Sequence, residues 1–414
     1  MDRSMRGNRI VQVLGPLDLP TIDELRGGFV RLASSGAHTR VGLLPRGLTH
    51  WEFAPDLIDQ RRDEFVRSAP DVDVDALARL MHDEALPDLP VQIRASRTHL
   101  AVLYDHELVD ATVAAAFPRA LIEMSRGREL PASGDDVSGS LPTALRHTLG
   151  LQPRAWWRLA SHVRDRRRTV AGATVQPTLP AAEHERVTVR DEANATRHVR
   201  SSMDSACIRQ LLRWGHRQGL GMGGTLLLLS TAALEQAGIP TSDHGTLIVN
   251  LRRYLPRSAA ARGNFVTGLP VTTPRRDDDV AVYAREIDAA IESARPLVSA
   301  AVSAAKGVLL ARSVRHDAGT MPRPTRARVS LSYVGTLRDY ERLPWAVEPD
   351  ARTILNTVDT AAAGDIGWTM LKMHGRLHAV ATFRADVLPA ERVRAAAALM
   401  VADPIGVLAD AVGS

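Results

Sequence analysis

Apolar and polar residues alternate over residues 9–14, a period of two that predicts a first strand. TIDELRGGFVRLAS follows with helical spacing, Thr21 at the N-cap and Glu24 three residues on, the pattern of a capping box. Short strands are expected at 39–44 and 50–53, then a helix over 74–84. Two strands, 91–95 and 99–104, are joined by a turn at SRT, and DHELVD comes next. From Ala111 the Ala-rich run ATVAAAFPRALIEM predicts a helix despite Pro118. The pattern loosens over 169–182, where Pro177 and Pro180 bracket a stretch with neither period, and a lobe boundary is expected there. It restarts with a strand at 185–190, helices at 202–218 and 225–237, strands at 246–251 and 265–271, and long helices over 280–312. Strands at 328–333, 366–373 and 379–383 and a closing helix at 389–401 complete the reading. The expectation is an α/β protein of two lobes, residues 1–175 and 176–414, with comparable layouts.

Length and composition change this picture little. A chain of 414 residues with 45% hydrophobic residues can bury a large core. Cys207 is the one cysteine, which excludes an internal disulfide and a cysteine-based zinc site and fits a reducing compartment. No apolar run has signal-peptide or membrane-spanning length, so a cytoplasmic protein without a membrane span is expected. The net charge of +5 and the cluster Arg164, Arg166, Arg167 and Arg168 invite a nucleic-acid reading. Against it, Lys306 and Lys372 are the only lysines, and aromatic residues, at 4%, are too sparse to supply base-stacking platforms. Such a surface suits acidic partners such as coenzyme A or an acidic carrier domain.

The chemistry concentrates in DHELVD. His106 and Asp110 lie four residues apart where a strand end leads into a helix start, and imidazole can accept a proton near neutral pH. HxxxD is a common spacing, and the residues alone equally allow a loop histidine followed by an Asp that merely caps the next helix. GLGMGG follows a helix, not a strand, and reads as a helix-to-helix connection capped by Thr225 instead of a dinucleotide fingerprint. His374 and His378 flank Gly375, which indicates a hairpin, and no metal site is expected. GDIGW, with Asp365 and Trp368, reads as a buried strand start, and SGDDVSGS as a polar loop without a nucleophile elbow.

The order of these strings resembles the condensation domains of nonribosomal peptide synthetases and the superfamily that holds chloramphenicol acetyltransferase and polyketide-associated acyltransferases, over essentially the whole chain. Their HHxxxDG motif aligns with Asp105 to Ala111, keeping the second histidine, His106, and the aspartate, Asp110, but not the first histidine or the glycine. GMGGTLLLLSTAAL, TLIVNLRRYLP, ARGNFVTGLPV with Gly263, Asn264 and Phe265, LSYVGTL with Ser332 and Gly335, and GRLHAVATFRAD follow in the family's order. Tyr333 replaces the asparagine of the family's SNxG strand.

The resemblance implies a V-shaped pseudo-dimer of two lobes with a central tunnel open to a thioester donor and an acceptor. It implies His106 as general base, Asp110 as a structural residue paired with an arginine, for which Arg252 is the candidate, and Ser332 as an oxyanion donor. Asp105 beside His106 should favour the imidazolium and slow a base. The expected function is a stand-alone acyltransferase of natural-product biosynthesis, without cofactor, taking its acyl group from acyl-CoA or a carrier protein. The competing reading is a non-catalytic module of the same fold that recruits a carrier or partner enzyme, for which the lost motif residues argue.

Overall fold

The computed structural model describes residues 8–46, 50–129, 140–150, 153–172, 186–188, 196–257, 259, 261, 263–276, 278–310, 320–322, 326–360 and 362–412. The chain opens with β1 (Arg9–Gly15), α1 (Ile22–Ser34), a hairpin of β2 (Leu43–Arg46) and β3 (His50–Phe53), α2 (Pro55–Gln60), α3 (Arg62–Phe65), β4 (Val66–Ser68) and α4 (Val74–Asp83). Strands β5 (Val91–Ala95) and β6 (Leu100–Asp105) lead into α5 (Ala111–Ser125), α6 (Ser140–Thr148) and α7 (Pro153–Gly172). Next come β7 (Arg186–Thr188), β8 (Thr196–Met203), α8 (Ser205–Arg217), α9 (Met222–Gln236), β9 (His244–Asn250), β10 (Val266–Thr272), α10 (Val280–Glu292) and α11 (Arg295–Leu310). The chain continues with β11 (Thr320–Pro322), β12 (Arg328–Thr336), α12 (Arg338–Glu341), β13 (Thr353–Val358), β14 (Asp365–Met373), β15 (Arg376–Arg384), α13 (Ala390–Ala402) and α14 (Pro404–Val412).

Among the described residues two large sheets organise these elements, in the orders β13-β1-β6-β5-β4 and β10-β9-β12-β14-β15-β8. The first is covered on both faces. Ile10 and Leu14 of β1 join Leu25 and Phe29 of α1 and Leu121 of α5, while Val11 and Val13, pointing the other way, pack on Leu77 and Met81 of α4. The second sheet packs against α8, α9, α13 and α14 through a core that includes Leu226–Leu229, Trp368, Phe383 and Met400. The capping box of α1 is present: Glu24 N–H donates to Thr21 Oγ1 at 3.4 Å, and Thr21 N–H to the Glu24 carboxylate at 2.8 Å. Gly28 lets α1 and α5 approach closely, since a Cβ there would stand 2.7 Å from Ser125 Cα.

Several elements differ from the sequence reading. Residues 37–39 form a 3-10 turn, and the strand expected at 39–44 begins at Leu43. The helix expected from 202 is delayed because β8 runs to Met203 and Asp204 caps α8 by accepting from Cys207 N–H at 2.8 Å. Thr225 is not a cap: α9 starts at Met222 behind Gly221, and the Thr225 hydroxyl bonds back to Gly221 O at 3.2 Å. Gly224 is a tight-packing position inside that helix, where a Cβ would meet Leu220 and Ile287 at 3.0 and 3.1 Å. The terminal helix is followed by a second, α14, across a 103° bend. Together they have the length and composition of a membrane span, but Val393, Met400, Val407 and Leu408 are buried in the second core, and no single helix among the described residues is long and apolar enough to cross a membrane. The His374–Gly375 turn does join a hairpin, both residues taking positive φ (47° and 76°) between β14 and β15. Residues 133–139 of the loop SGDDVSGS and most of the 169–182 stretch lie outside the described residues.

Two features tie the first sheet to the second. β13, from the far end of the chain, pairs antiparallel with β1 from Ile10↔Val358 to Gly15↔Thr353. On the other side of the first sheet, α4 meets the edge strand β8, where His82 and His198 stack with centroids 6.1 Å apart and Arg200 pairs with Asp75 at 3.4 Å. Burial lowers the pKa of both imidazoles, that of His198 to about 3, with the neighbouring His82 adding to the effect.

Two expectations follow from this packing. Gly28→Ala should destabilise the protein by about 1–3 kcal/mol in denaturant unfolding, because neither helix backbone can retreat without disturbing the core; an unchanged midpoint would refute the close-packing account. The two histidines should make stability pH-dependent. The unfolded imidazoles protonate near pH 6.5 and the folded ones only at lower pH, so the unfolded state gains protons first and stability falls as the pH drops below about 6.5. Each contributes up to about 1.4 kcal/mol per pH unit in that window. Thermal melts from pH 7 to 5 should show this slope, and His198→Phe should reduce it, the remainder coming from His82 and the other histidines that burial depresses, such as His378; parallel slopes would remove His198 from the account.

Candidate active site

β6 ends at Asp105 beside β1, and His106 N–H continues the ladder by donating to Asn8 O at 2.9 Å. A turn closes with Leu108 N–H on Asp105 O at 3.0 Å, and Leu108 and Val109 are fully buried, anchoring the loop. Asp110 then starts α5, its Oδ1 accepting from the N–H groups of Thr112 and Val113 at 3.0 and 3.3 Å. Its other oxygen faces the second half of the chain. Arg252 Nη1 reaches Asp110 Oδ2 at 2.5 Å and Phe265 N–H donates to the same atom at 3.0 Å, while Asp110 itself is 1% exposed. Arg252 is held from behind by the carbonyls of Ala261 (2.8 Å) and Gly263 (3.0 Å). A short buried pair with every lone pair engaged offsets the desolvation of its charges. The aspartate therefore caps a helix and clamps the His106 loop to the β9–β10 connection at once.

The same connection supplies Asn264, whose amide N–H donates to the His106 carbonyl at 2.9 Å. His106 Nδ1 lies 3.2 Å from Val109 O. A carbonyl can only accept and so calls for a proton on Nδ1, whereas the Asn264 amide nitrogen, 3.3 Å from the same atom, can only donate and calls for a lone pair there. Among the described residues Nε2 has no protein partner, and the ring lines a cavity of about 430 Å³ between the two sheets. That volume lies in the range of small-molecule sites. Asp105 directs Oδ1 to Glu107 N–H at 2.9 Å, stapling the turn.

Of the other residues singled out in the sequence, Ser332 lines the same cavity from β12. Gly335 forms the β-bulge that follows it, with φ of 81°, and does not line the cavity. Asp365, at the start of β14, pairs with Arg328 of β12 at 2.6 Å; burial raises its pKa and the arginine opposes the shift. Trp368 is buried, as its strand pattern suggested.

Sequence reading missed the opposite wall. Asn356 of β13 and Tyr340 of α12 line the cavity, and the Tyr340 hydroxyl donates to Asn356 Oδ1 at 3.2 Å and receives the Gln12 amide. The available signal was a polar residue in the middle of each apolar run, Gln12 in IVQVL and Asn356 in TILNTV.

No protein-family model and no curated protein matches this chain. Solved structures do match over nearly its whole length. The condensation domain of the Monacolin K polyketide synthase MokA superposes with a TM-score of 0.59 at 13% identity, covering 98% of this chain and 92% of that one. TRI3 trichothecene 15-O-acetyltransferase from Fusarium sporotrichioides gives 0.58 at 12%, covering 96% and 92%. VibH, a nonribosomal peptide synthetase condensation enzyme, gives 0.53 at 12%, covering 97% and 89%. The chain thus carries the fold shared by condensation domains and this acetyltransferase.

Proposed function

We propose that the protein is an acyltransferase that moves an acyl group from a coenzyme A or carrier-protein thioester to an amine or alcohol. In this reading the parts divided near residue 175 are the two lobes of a V-shaped pseudo-dimer, and the cavity is the middle of a tunnel between them. The observation that carries it is the place of His106, on a clamped loop lining a cavity walled by both sheets; the reading takes the ring as the tautomer with its proton on Nδ1, against Val109 O, and Nε2 as the base.

Nε2 takes the proton from the acceptor as its nitrogen or oxygen lone pair attacks the thioester carbonyl carbon. The C–S bond then breaks, and the departing thiolate receives a proton from the imidazolium, which returns the base to its neutral form. Asp110 takes no proton; held by Arg252, Phe265 N–H and the first turn of α5, it positions the loop. Ser332 is the donor assigned to the oxyanion, from the cavity wall supplied by β12. Most of the remaining acceleration comes from holding donor and acceptor in one enclosed space.

Two experiments address the two halves of this proposal. His106→Ala should lower turnover of an acyl-CoA or acyl-carrier donor with an amine or alcohol panel by about 10²- to 10⁴-fold, read by mass spectrometry, with little change in melting temperature. Equal turnover would dismiss the base, and no turnover in the parent protein against either donor would favour a binding module. Asp110→Ala should instead cost about 3–5 kcal/mol in denaturant unfolding, because it strands Arg252 without its counter-charge; a loss below 1 kcal/mol would contradict the clamp.

A further inference from the structure

A second cavity, of about 300 Å³, lies between the start of β13 and the strands β8 and β15. Its wall follows from strand geometry. Successive side chains alternate across a sheet, so Arg376 and His378 of β15 share a face, and the pairing His378↔Ser202 brings Arg200 and Ser202 of β8 onto it. Across the gap stands Arg352, at the residue before β13.

The three guanidinium groups are held in place, but their charge is only partly matched. Arg376 donates to Ser202 Oγ at 3.1 Å and to Asp350 at 3.2 Å, a carboxylate 88% exposed at the rim. Arg200 leans on Asp75 of α4 at 3.4 Å. Arg352 is propped by Val347 O at 3.2 Å, by His374 Nε2 and by the Trp345 ring, whose centroid is 5.3 Å from its Cζ, and among the described residues it has no carboxylate partner. The pKa of the His378 imidazole is depressed to about 4, by burial first and then by Arg376 and His374, so near neutral pH the ring is uncharged. A fixed, planar set of donors with surplus positive charge and a serine hydroxyl is the arrangement that binds phosphate oxygens bidentately; a single carboxylate would engage one fork and leave the others unused.

We propose that this cavity is a phosphate-binding site built by Arg352, Arg376, Arg200 and Ser202. Its distance from the histidine cavity suggests the source. Arg352 to Ile354 line one cavity and Asn356 to Thr360 the other, so the near ends are two strand residues apart, about 7 Å along β13. The phosphate of a phosphopantetheine donor, its arm running toward the histidine cavity, is the source assigned here. That assignment of source rests on the acyltransferase reading; the phosphate chemistry of the site does not.

The test is binding, measured by calorimetry on the full chain with inorganic phosphate, pyrophosphate, phosphopantetheine, coenzyme A and, as the phosphate-free control, pantetheine. Arg352→Gln and Arg376→Gln should each weaken the phosphate-bearing probes by about tenfold or more and leave pantetheine unchanged. Arg352→Lys should retain part of the affinity, and unchanged melting temperatures would show that the variants fold. Phosphopantetheine binding well above inorganic phosphate identifies the donor as the source, whereas equal binding identifies a free phosphate. The proposal is overturned if no phosphate-bearing probe binds, or if the glutamine variants bind as the parent does. Probe binding is read by calorimetry and turnover by mass spectrometry, so a failure of turnover and a failure of this site are read separately.

Discussion

The buried contact between Asp110 and Arg252 is the constraint on which the site depends. It joins the loop after β6 to the connection between β9 and β10, two places 142 residues apart in the chain. The aspartate also caps α5 and receives Phe265 N–H, and the arginine is fixed by two carbonyls, so neither side chain can move without exposing an unmatched charge in a dry interior. Asn264 rides on the same connection and fastens the His106 carbonyl. An imidazole on a surface loop would sample many positions; here the second half of the chain fixes it.

The cavity is a product of both sheets in the same sense. Its walls come from β1 and β13 on one side and from β9, β10, β12 and β14 on the other, with the histidine loop at the seam. Most of the lining is apolar, with a few polar groups such as Asn356, Tyr340, Ser332 and the Arg328–Asp365 pair set among it. That composition suits a ligand whose body is excluded from water while one end is oriented by hydrogen bonds.

Much of the fold was legible because its strands and helices are bounded by strong local signals: the Thr21–Glu24 capping box, the alternation in β1, the Gly375 turn and the Asp110 cap. What escaped reading had no such signal. β8, TRHVRSSM, turns His198, Arg200 and Ser202 toward the other half of the protein, and only Val199 and Met203 mark its apolar face, too few to show a strand period in the sequence. β13 is short and carries Asn356 at its centre, polar because its partner is Tyr340 of α12 and not water. DHELVD marked the histidine loop, but spacing alone could not distinguish an aspartate that caps a helix from one that also binds an arginine. Asp110 does both, and only the folded chain brings Arg252 to it.

The crossing of β13 has a consequence for how the molecule is made. β1 is synthesised more than 300 residues before its second neighbour. Until then one edge of the first sheet offers unpaired backbone groups to any passing strand, including that of another nascent copy. Closure also demands a contact of very long sequence separation, the kind that forms slowly. The interval between those two events is when this chain is most exposed to misassembly, and chaperone demand and yield on expression should be governed by it more than by the stability of the finished fold.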